Sequence, residues 1–219
     1  MNSIIPTVFA TSQEQFKERF NKILPLTKNI QIDFMDGSFV KSKSIQISKI
    51  PDLKKFKKNF EAHLMIFHPE KYINTIKNKG FKKIIFHLES TKYPLKLINQ
   101  IKKEKLKVFI AINPETQIKS ITPYLSQVNG ILFLGVYPGK EHQLFIPLVY
   151  TKIKKLRKLD KKIIIQVDGG VNEKNASKLA KLGVNIINSG SFISDSYSPK
   201  EAFKKLNYLF KNKRKILHG

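Results

Sequence analysis

Eight short runs rich in Ile, Val and Phe, each followed by a longer stretch of different periodicity, constrain this chain more than any other feature. The runs are "SIIPTVFA", "IQIDFM", "AHLMIF", "KKIIFHL", "KVFIAI", "GILFLGV", "KIIIQV" and "VNIINSG", each the length of a strand. Between them apolar residues fall at helical spacing, as at Phe16, Phe20, Ile23 and Leu24 in the first segment and Phe203, Leu206 and Phe210 in the last. Gly80 and Gly183 stand where helices would end, a position that favours a left-handed cap. No linker, repeat or low-complexity tract breaks the series, so a single domain over 1–219 is expected. Eight βα units can close into a parallel (β/α)8 TIM barrel or lie open as a doubly wound sheet. The barrel fits the count better, and the first strand lacks the G-x-G-x-x-G turn that marks a dinucleotide-binding sheet.

The second run raises a local question. Ile30, Ile32 and Phe34 alternate with Gln31, Asp33 and Met35, so a strand here turns an amide, a carboxylate and a thioether to one face. An exposed edge with a polar side is one reading. In a barrel the alternative is a shared mouth, because polar residues near the C-terminal ends of strands point into the site built by the βα loops. Asp33, His63, His87 with Glu89, and Asp168 all fall near such ends. Singly, each also reads as a hydrogen-bonded buried group or a helix cap; their collection at strand ends favours a site.

The net charge of +25 suggests anionic partners, either phosphorylated metabolites or nucleic acid, or else a lysine-rich compositional bias. The lysines are spread over every segment, which favours the bias. The densest runs are "KIKKLRKLDKK" (152–162) and the tail "KNKRKILHG"; the first has helical spacing of Ile153, Leu156 and Leu159 and reads as a solvated helix face. No motif for specific nucleic-acid recognition accompanies them. The absence of cysteine excludes disulfides, thiolate metal sites and a cysteine nucleophile, so any metal needs His, Asp, Glu or amide ligands. No apolar run approaches the roughly 18 residues of a membrane span. No secretion leader is seen at the N-terminus, so a cytoplasmic setting is expected and "NAS" at 175–177 reads as a helix start.

Seven motifs stand in an order and spacing that resembles the ribulose-phosphate 3-epimerase family: "IDFMDGSFV", "HLM" (63–65), "FHLES" (86–90), "INPET" (112–116), "VYPGKEHQLFIP" (136–147), "VDGGVN" (167–172) and "SGS" (189–191). The resemblance covers nearly the whole chain. It implies a barrel enzyme that interconverts D-ribulose 5-phosphate and D-xylulose 5-phosphate, with a phosphorylated sugar as substrate and a homo-oligomeric assembly. Inverting a carbon next to a ketone needs one group to remove a proton and another to return it on the opposite face. Asp33 and Asp168 match the family's catalytic aspartates, and His63 matches one of two histidines that, with those aspartates, hold a divalent metal. Met35, Met65, Gly139, Gly169, Gly170, Gly190 and Ser191 match its substrate and phosphate-binding positions. Related readings are a ketohexose 6-phosphate 3-epimerase and a barrel that binds a phosphosugar or partner without catalysis.

The departures are as informative. Gln31 stands where the family has its other histidine, and an amide oxygen suits manganese or magnesium better than zinc or iron. Three outcomes are open: a metal held by Gln31, Asp33, His63 and Asp168, a metal-free site, or a site that has lost the chemistry. The family's N-P-G-F-G-G-Q reads Tyr137-Pro138-Gly139-Lys140-Glu141-His142-Gln143, with two glycines replaced. Lys140 or His142 can supply positive charge there, and Glu141 opposes it. Leu134 replaces a methionine, Ser38 and Lys41-Ser42 replace His and Pro-Asn, and Ala10 stands where a serine near the substrate is expected.

Overall fold

Both faces of the strand carrying Gln31 and Asp33 are buried, which removes the exposed-edge reading. The computed structural model describes residues 2–212; the basic run "KNKRKILHG" continues beyond them. Eight strands, β1 (Ser3–Val8), β2 (Asn29–Met35), β3 (Asn59–Met65), β4 (Lys83–His87), β5 (Lys107–Ile112), β6 (Gly130–Leu134), β7 (Ile164–Asp168) and β8 (Ile186–Ser189), close into a barrel in sequence order. Every pairing is parallel, and β8 returns to β1 through Ser3↔Ile186 to Pro6↔Ser189. The expected TIM barrel is therefore observed, without the edges of an open sheet.

The connections depart from strict alternation. Helices α1 (Gln13–Ile23), α2 (Ile73–Lys79), α3 (Pro94–Lys103), α4 (Leu148–Leu159) and α5 (Ala176–Lys181) each bridge two strands, while α6 (Ser191–Ser194) and α7 (Pro199–Lys211) follow β8. Between β2 and β3, and between β5 and β6, short 3₁₀ turns stand in place of the α-helix. Pro51 and Pro123 fall in these two connections, where a missing N–H and a fixed φ oppose a long helix. Gly80 caps α2 at φ +96° and Gly183 follows α5 at φ +83°, in the left-handed region expected of them. Ser12 caps α1 by accepting a hydrogen bond from the Gln15 N–H.

Alternation along the strands divides the interior into two environments. Ile30, Ile32 and Phe34 join the shell between barrel and helices, packed with Phe16, Phe20 and Ile23 of α1. The inward face of β4–β6 forms a separate apolar cluster of Ile85, Phe109, Ala111, Leu132 and Leu134. Apart from Ile5, Met35 and Met65, the buried inward positions of the other strands and the ends of β4 are polar: Thr7, Gln31, Asp33, Glu61, His63, Lys83, His87, Gln166, Asp168 and Asn188. On the surface, α4 corrects two expectations. Leu159 is exposed, and Lys152 is buried with its ammonium donating to the carbonyl oxygens of Asn113 (2.6 Å) and Pro114 (3.0 Å). Arg157 is likewise a tie, donating to the carbonyls of Asp160, Ile163 and Gly183. No helix among the described residues is long and apolar enough to cross a membrane.

Where the polar and apolar halves meet, Gly130 is required by contact. A Cβ there would lie 2.4 Å from the Phe109 ring, over which the Lys83 ammonium sits 4.1 Å from the centroid. Gly130→Ala should lose about 1–3 kcal/mol through overpacking, read as a lower denaturation midpoint. Adding Phe109→Leu should recover part of that loss, because it withdraws the clashing atoms.

Candidate functional site

A cleft at the C-terminal ends of the strands brings together Asp33, Met35, His63, Met65, Gly139, Asp168, Gly169, Gly170, Gly190 and Ser191. Leu134 and the loop from Tyr137 to Gln143 complete its wall. Gln31 is fully buried beneath the two aspartates. In β1 the cleft is lined by Thr7 and not by Ala10, which packs in the outer shell. The expectation attached to Ala10 is corrected accordingly: a hydroxyl does face the cleft from the first strand, three residues earlier.

Asp33 and Asp168 reach the same point from β2 and β7. The Gln31 amide nitrogen donates to Asp33 Oδ1 (2.9 Å) and Asp168 Oδ2 (2.5 Å), and lies 3.3 Å from the Thr7 hydroxyl. His63 Nδ1 lies 3.1 Å from Asp33 Oδ1 and 3.6 Å from Asp168 Oδ2. Burial, and then the neighbouring Asp33 charge, raise the Asp168 carboxyl to about 7, so it holds a proton into the neutral range. For His63, burial disfavours the charged ring, but the Asp33 hydrogen bond and charge, with Asp168 and Glu61 behind, outweigh it and raise the pKa.

One atom of each of Asp33, His63 and Asp168 lies within 4.8 Å of the others, a set able to hold a divalent cation. Hydrogen-bond logic fits this. Glu89 Oε2 stands 3.6 Å from His87 Nδ1, and His87 Nε2 lies 3.0 Å from His63 Nε2. When His87 carries its proton on Nδ1, facing the carboxylate, its Nε2 accepts from His63 Nε2–H. A bound cation would then take the place of the Nδ1 proton that His63 shares with Asp33, as a neutral imidazole ligand requires. Gln31 differs from the expected ligand: its nitrogen, which cannot coordinate, faces the carboxylates, and its oxygen accepts from Asn188 Nδ2 (2.9 Å) on the far side.

The loop after β6 is built around an ion cluster. Glu141 pairs with Arg19 of α1 at 2.8 Å, and the same guanidinium reaches Asp195 at 3.2 Å and the Phe9 carbonyl at 2.8 Å. His142 adopts φ +59° and places Nε2 3.5 Å from Asp195. A Cβ on Gly190 would sit 3.7 Å from Glu141 Oε1, so this carboxylate borders the position matched to phosphate. Gly169 and Gly170 have positive φ, and a Cβ would lie 2.5 Å from Val136 Cγ2 or 3.0 Å from the Phe145 backbone; packing alone requires glycine at both. Ser42 donates to the Gly139 carbonyl at 2.5 Å, joining the loops after β2 and β6. Asp36 turns away to bond the Ser38 N–H (2.9 Å) and shapes the loop.

Sequence reasoning missed Thr7, Arg19 and the buried set Glu61, Lys83, Gln166 and Asn188. A signal for part of it was present: Glu61 precedes His63 by two, as Gln166 precedes Asp168 and Gln31 precedes Asp33. A polar residue two before each site residue shares its inward face.

A family model described as the ribulose-phosphate 3 epimerase family matches residues 1–194. A ribulose-phosphate 3-epimerase from Schizosaccharomyces pombe is 27% identical over 93% of this chain and 91% of its own. One from Methanocaldococcus jannaschii is 34% identical over 80% of this chain and 76% of its own. Among solved structures, 3-hexulose-6-phosphate synthase from Salmonella typhimurium superposes with a TM-score of 0.72 at 13% identity, over 97% of this chain and 100% of that one.

Glu89 supplies a pH test. Burial raises its pKa, but the His87 ring 3.6 Å away and the hydrogen bonds from the Thr116 hydroxyl and the Asn113 N–H outweigh this and hold it at about 2. A depressed carboxyl stabilises the fold above the unfolded value near 4.5, and that stability is lost as pH falls toward 2. Melting temperatures of wild type and Glu89→Gln should therefore differ most above pH 4.5 and converge toward pH 2.

Proposed function

Because this chain belongs to the ribulose-phosphate 3-epimerase family, we propose that it interconverts D-ribulose 5-phosphate and D-xylulose 5-phosphate by proton transfer between Asp33 and Asp168. The observation that carries the reading is the pair of buried carboxylates tied to one amide on the floor of one cleft. They come from strands separated by β1 and β8 around the barrel, and both face the space where a ketose would lie. A substrate lying between them presents opposite faces of its C3 to the two carboxyls, as inversion demands. One carboxylate takes the proton, leaving an enediolate, while the other, as the acid, returns a proton from the far side. In the reverse direction the roles exchange. Asp168, with its pKa raised to about 7, is matched to either duty near neutral pH.

Asp33, His63 and Asp168 would hold the cation, and the chemistry it supplies when bound is neutralisation of charge on the substrate oxygens. Met35, Met65 and Leu134 offer an apolar lining that keeps water from the exchanging proton. Backbone N–H groups around Gly139, Gly169, Gly170, Gly190 and Ser191 are the candidate phosphate contacts. The Arg19–Glu141 pair at that end favours a second reading, a ketohexose 6-phosphate with a longer reach, on the same two aspartates. The reading includes a homo-oligomer, for which the exposed Phe67 and Tyr93 of one groove offer apolar surface.

The test is exchange of the C3 proton of ribulose 5-phosphate in deuterated water with manganese supplied. Exchange is expected for wild type, and Asp33→Asn or Asp168→Asn should lower it by about 10²–10⁴-fold with melting preserved. Wild type that leaves C3 unexchanged while exchanging a ketohexose 6-phosphate would transfer the assignment to that substrate. A second outcome concerns the loop: Glu141→Gly should lower KM for the sugar phosphate by roughly threefold or more, the scale of a partly exposed charge pair, with kcat nearly unchanged.

A further inference from the structure

Beneath the cleft a chain of side chains runs from the ammonium of Lys83 to the two aspartates, and each member can take only one orientation. Lys83 can only donate, and its Nζ lies 3.0 Å from a side-chain oxygen, Gln166 Oε1, while pairing with Glu61. The amide nitrogen of Gln166 is thereby turned the other way, donating to Glu61 Oε1 (2.6 Å) and Asn188 Oδ1 (2.7 Å). With its oxygen taken, Asn188 presents Nδ2 to Gln31 Oε1 at 2.9 Å and to Glu61 Oε1 at 3.2 Å. Gln31 then has its nitrogen toward Asp33 and Asp168. Reversing Gln31 would set its NH₂ against that of Asn188 and its oxygen against the Asp33 carboxylate. Gln31, Gln166 and Asn188 are fully buried, where a mispaired amide is most costly.

The geometry points to Gln31 as a positioning residue: a hydrogen-bond donor that cross-links Asp33 and Asp168, locked from the barrel floor by Lys83, Gln166 and Asn188, and kept from acting as a fourth metal ligand. This rests on the two-aspartate reading above and adds to it where the cleft's geometry is set. The cation would be held by Asp33, His63 and Asp168 alone. Affinity for it is set by the relay as much as by the ligands, since freeing the Gln31 oxygen to turn would add a donor of the kind manganese accepts.

Two readouts other than turnover test this. In ¹H–¹⁵N spectra of the intact metal-free protein, assigned by loss in Gln31→Leu, the Gln31 side-chain amide protons should be shifted downfield and protected from exchange. They should remain protected when zinc is added. In calorimetric titrations with manganese, Asn188→Leu releases the Gln31 oxygen and should tighten binding about tenfold, the scale on which partners behind a ligand act. In a Gln31→Leu background the same change should give no gain. A merely structural role for Asn188 predicts weaker binding in both backgrounds. Unchanged or weaker binding in Asn188→Leu, a gain that persists without Gln31, or a solvent-like Gln31 amide in wild type would each overturn the inference. Should Asn188→Leu fail to fold, the wild-type amide spectrum decides. C3 exchange by wild type is measured in parallel. Exchange with an unprotected Gln31 amide overturns the relay alone, and a protected amide without exchange overturns the catalytic reading while supporting the relay.

Discussion

Closing eight parallel strands on themselves turns every second residue of each strand into a space without bulk water. Whatever stands there must either pack or find a hydrogen-bond partner, because a polar group left alone in such a space costs several times what a satisfied one contributes. The two halves of this interior answer that demand differently. The middle of β4–β6 is filled with aliphatic and aromatic groups, while the other strands supply amides, carboxylates and an imidazole, joined by the Lys83 ammonium from the start of β4. The site is the upper end of the polar half, so its geometry is inherited from groups that never meet a ligand.

The fold was legible because period-two and helical patterns survive in any well-packed βα series, and Ile30, Ile32 and Phe34 behave as their spacing demands. Asp33, His63 and Asp168 were legible for a second reason: each sits near a strand's C-terminal end in a motif of the family. The two helix-free crossovers were not, since an apolar spacing such as Ile118 and Ile121 fits a 3₁₀ turn as well as an α-helix. The direction of the Gln31 amide was also hidden. Orientation is a property of the partners, and those partners are distant in sequence: Asn188 is 157 positions away and Gln166 is 135.

Lysine illustrates the same limit. Composition treats Lys83 and Lys152 like the others, yet one anchors an ion pair with Glu61 and the other holds a loop by its backbone carbonyls. For Lys152, burial lowers the ammonium's pKa to about 8, against the opposing charges of Glu89 and Glu115. A uniform bias toward lysine thus supplies individual cations that the fold has put to structural use.

The Arg19–Glu141–Asp195 cluster changes the character of recognition at the rim. A glycine-built cradle receives an anion into bare backbone N–H groups, so affinity reflects the difference between solvated and bound phosphate. Here a carboxylate already occupies the neighbourhood and a guanidinium already has two counterions. On the proposed function, entry of a dianion would be an exchange of one anion for another, in which the protein's own ion pair is reactant as well as wall. Selectivity then depends on how well each ligand competes with a tethered glutamate whose local concentration is fixed by the loop.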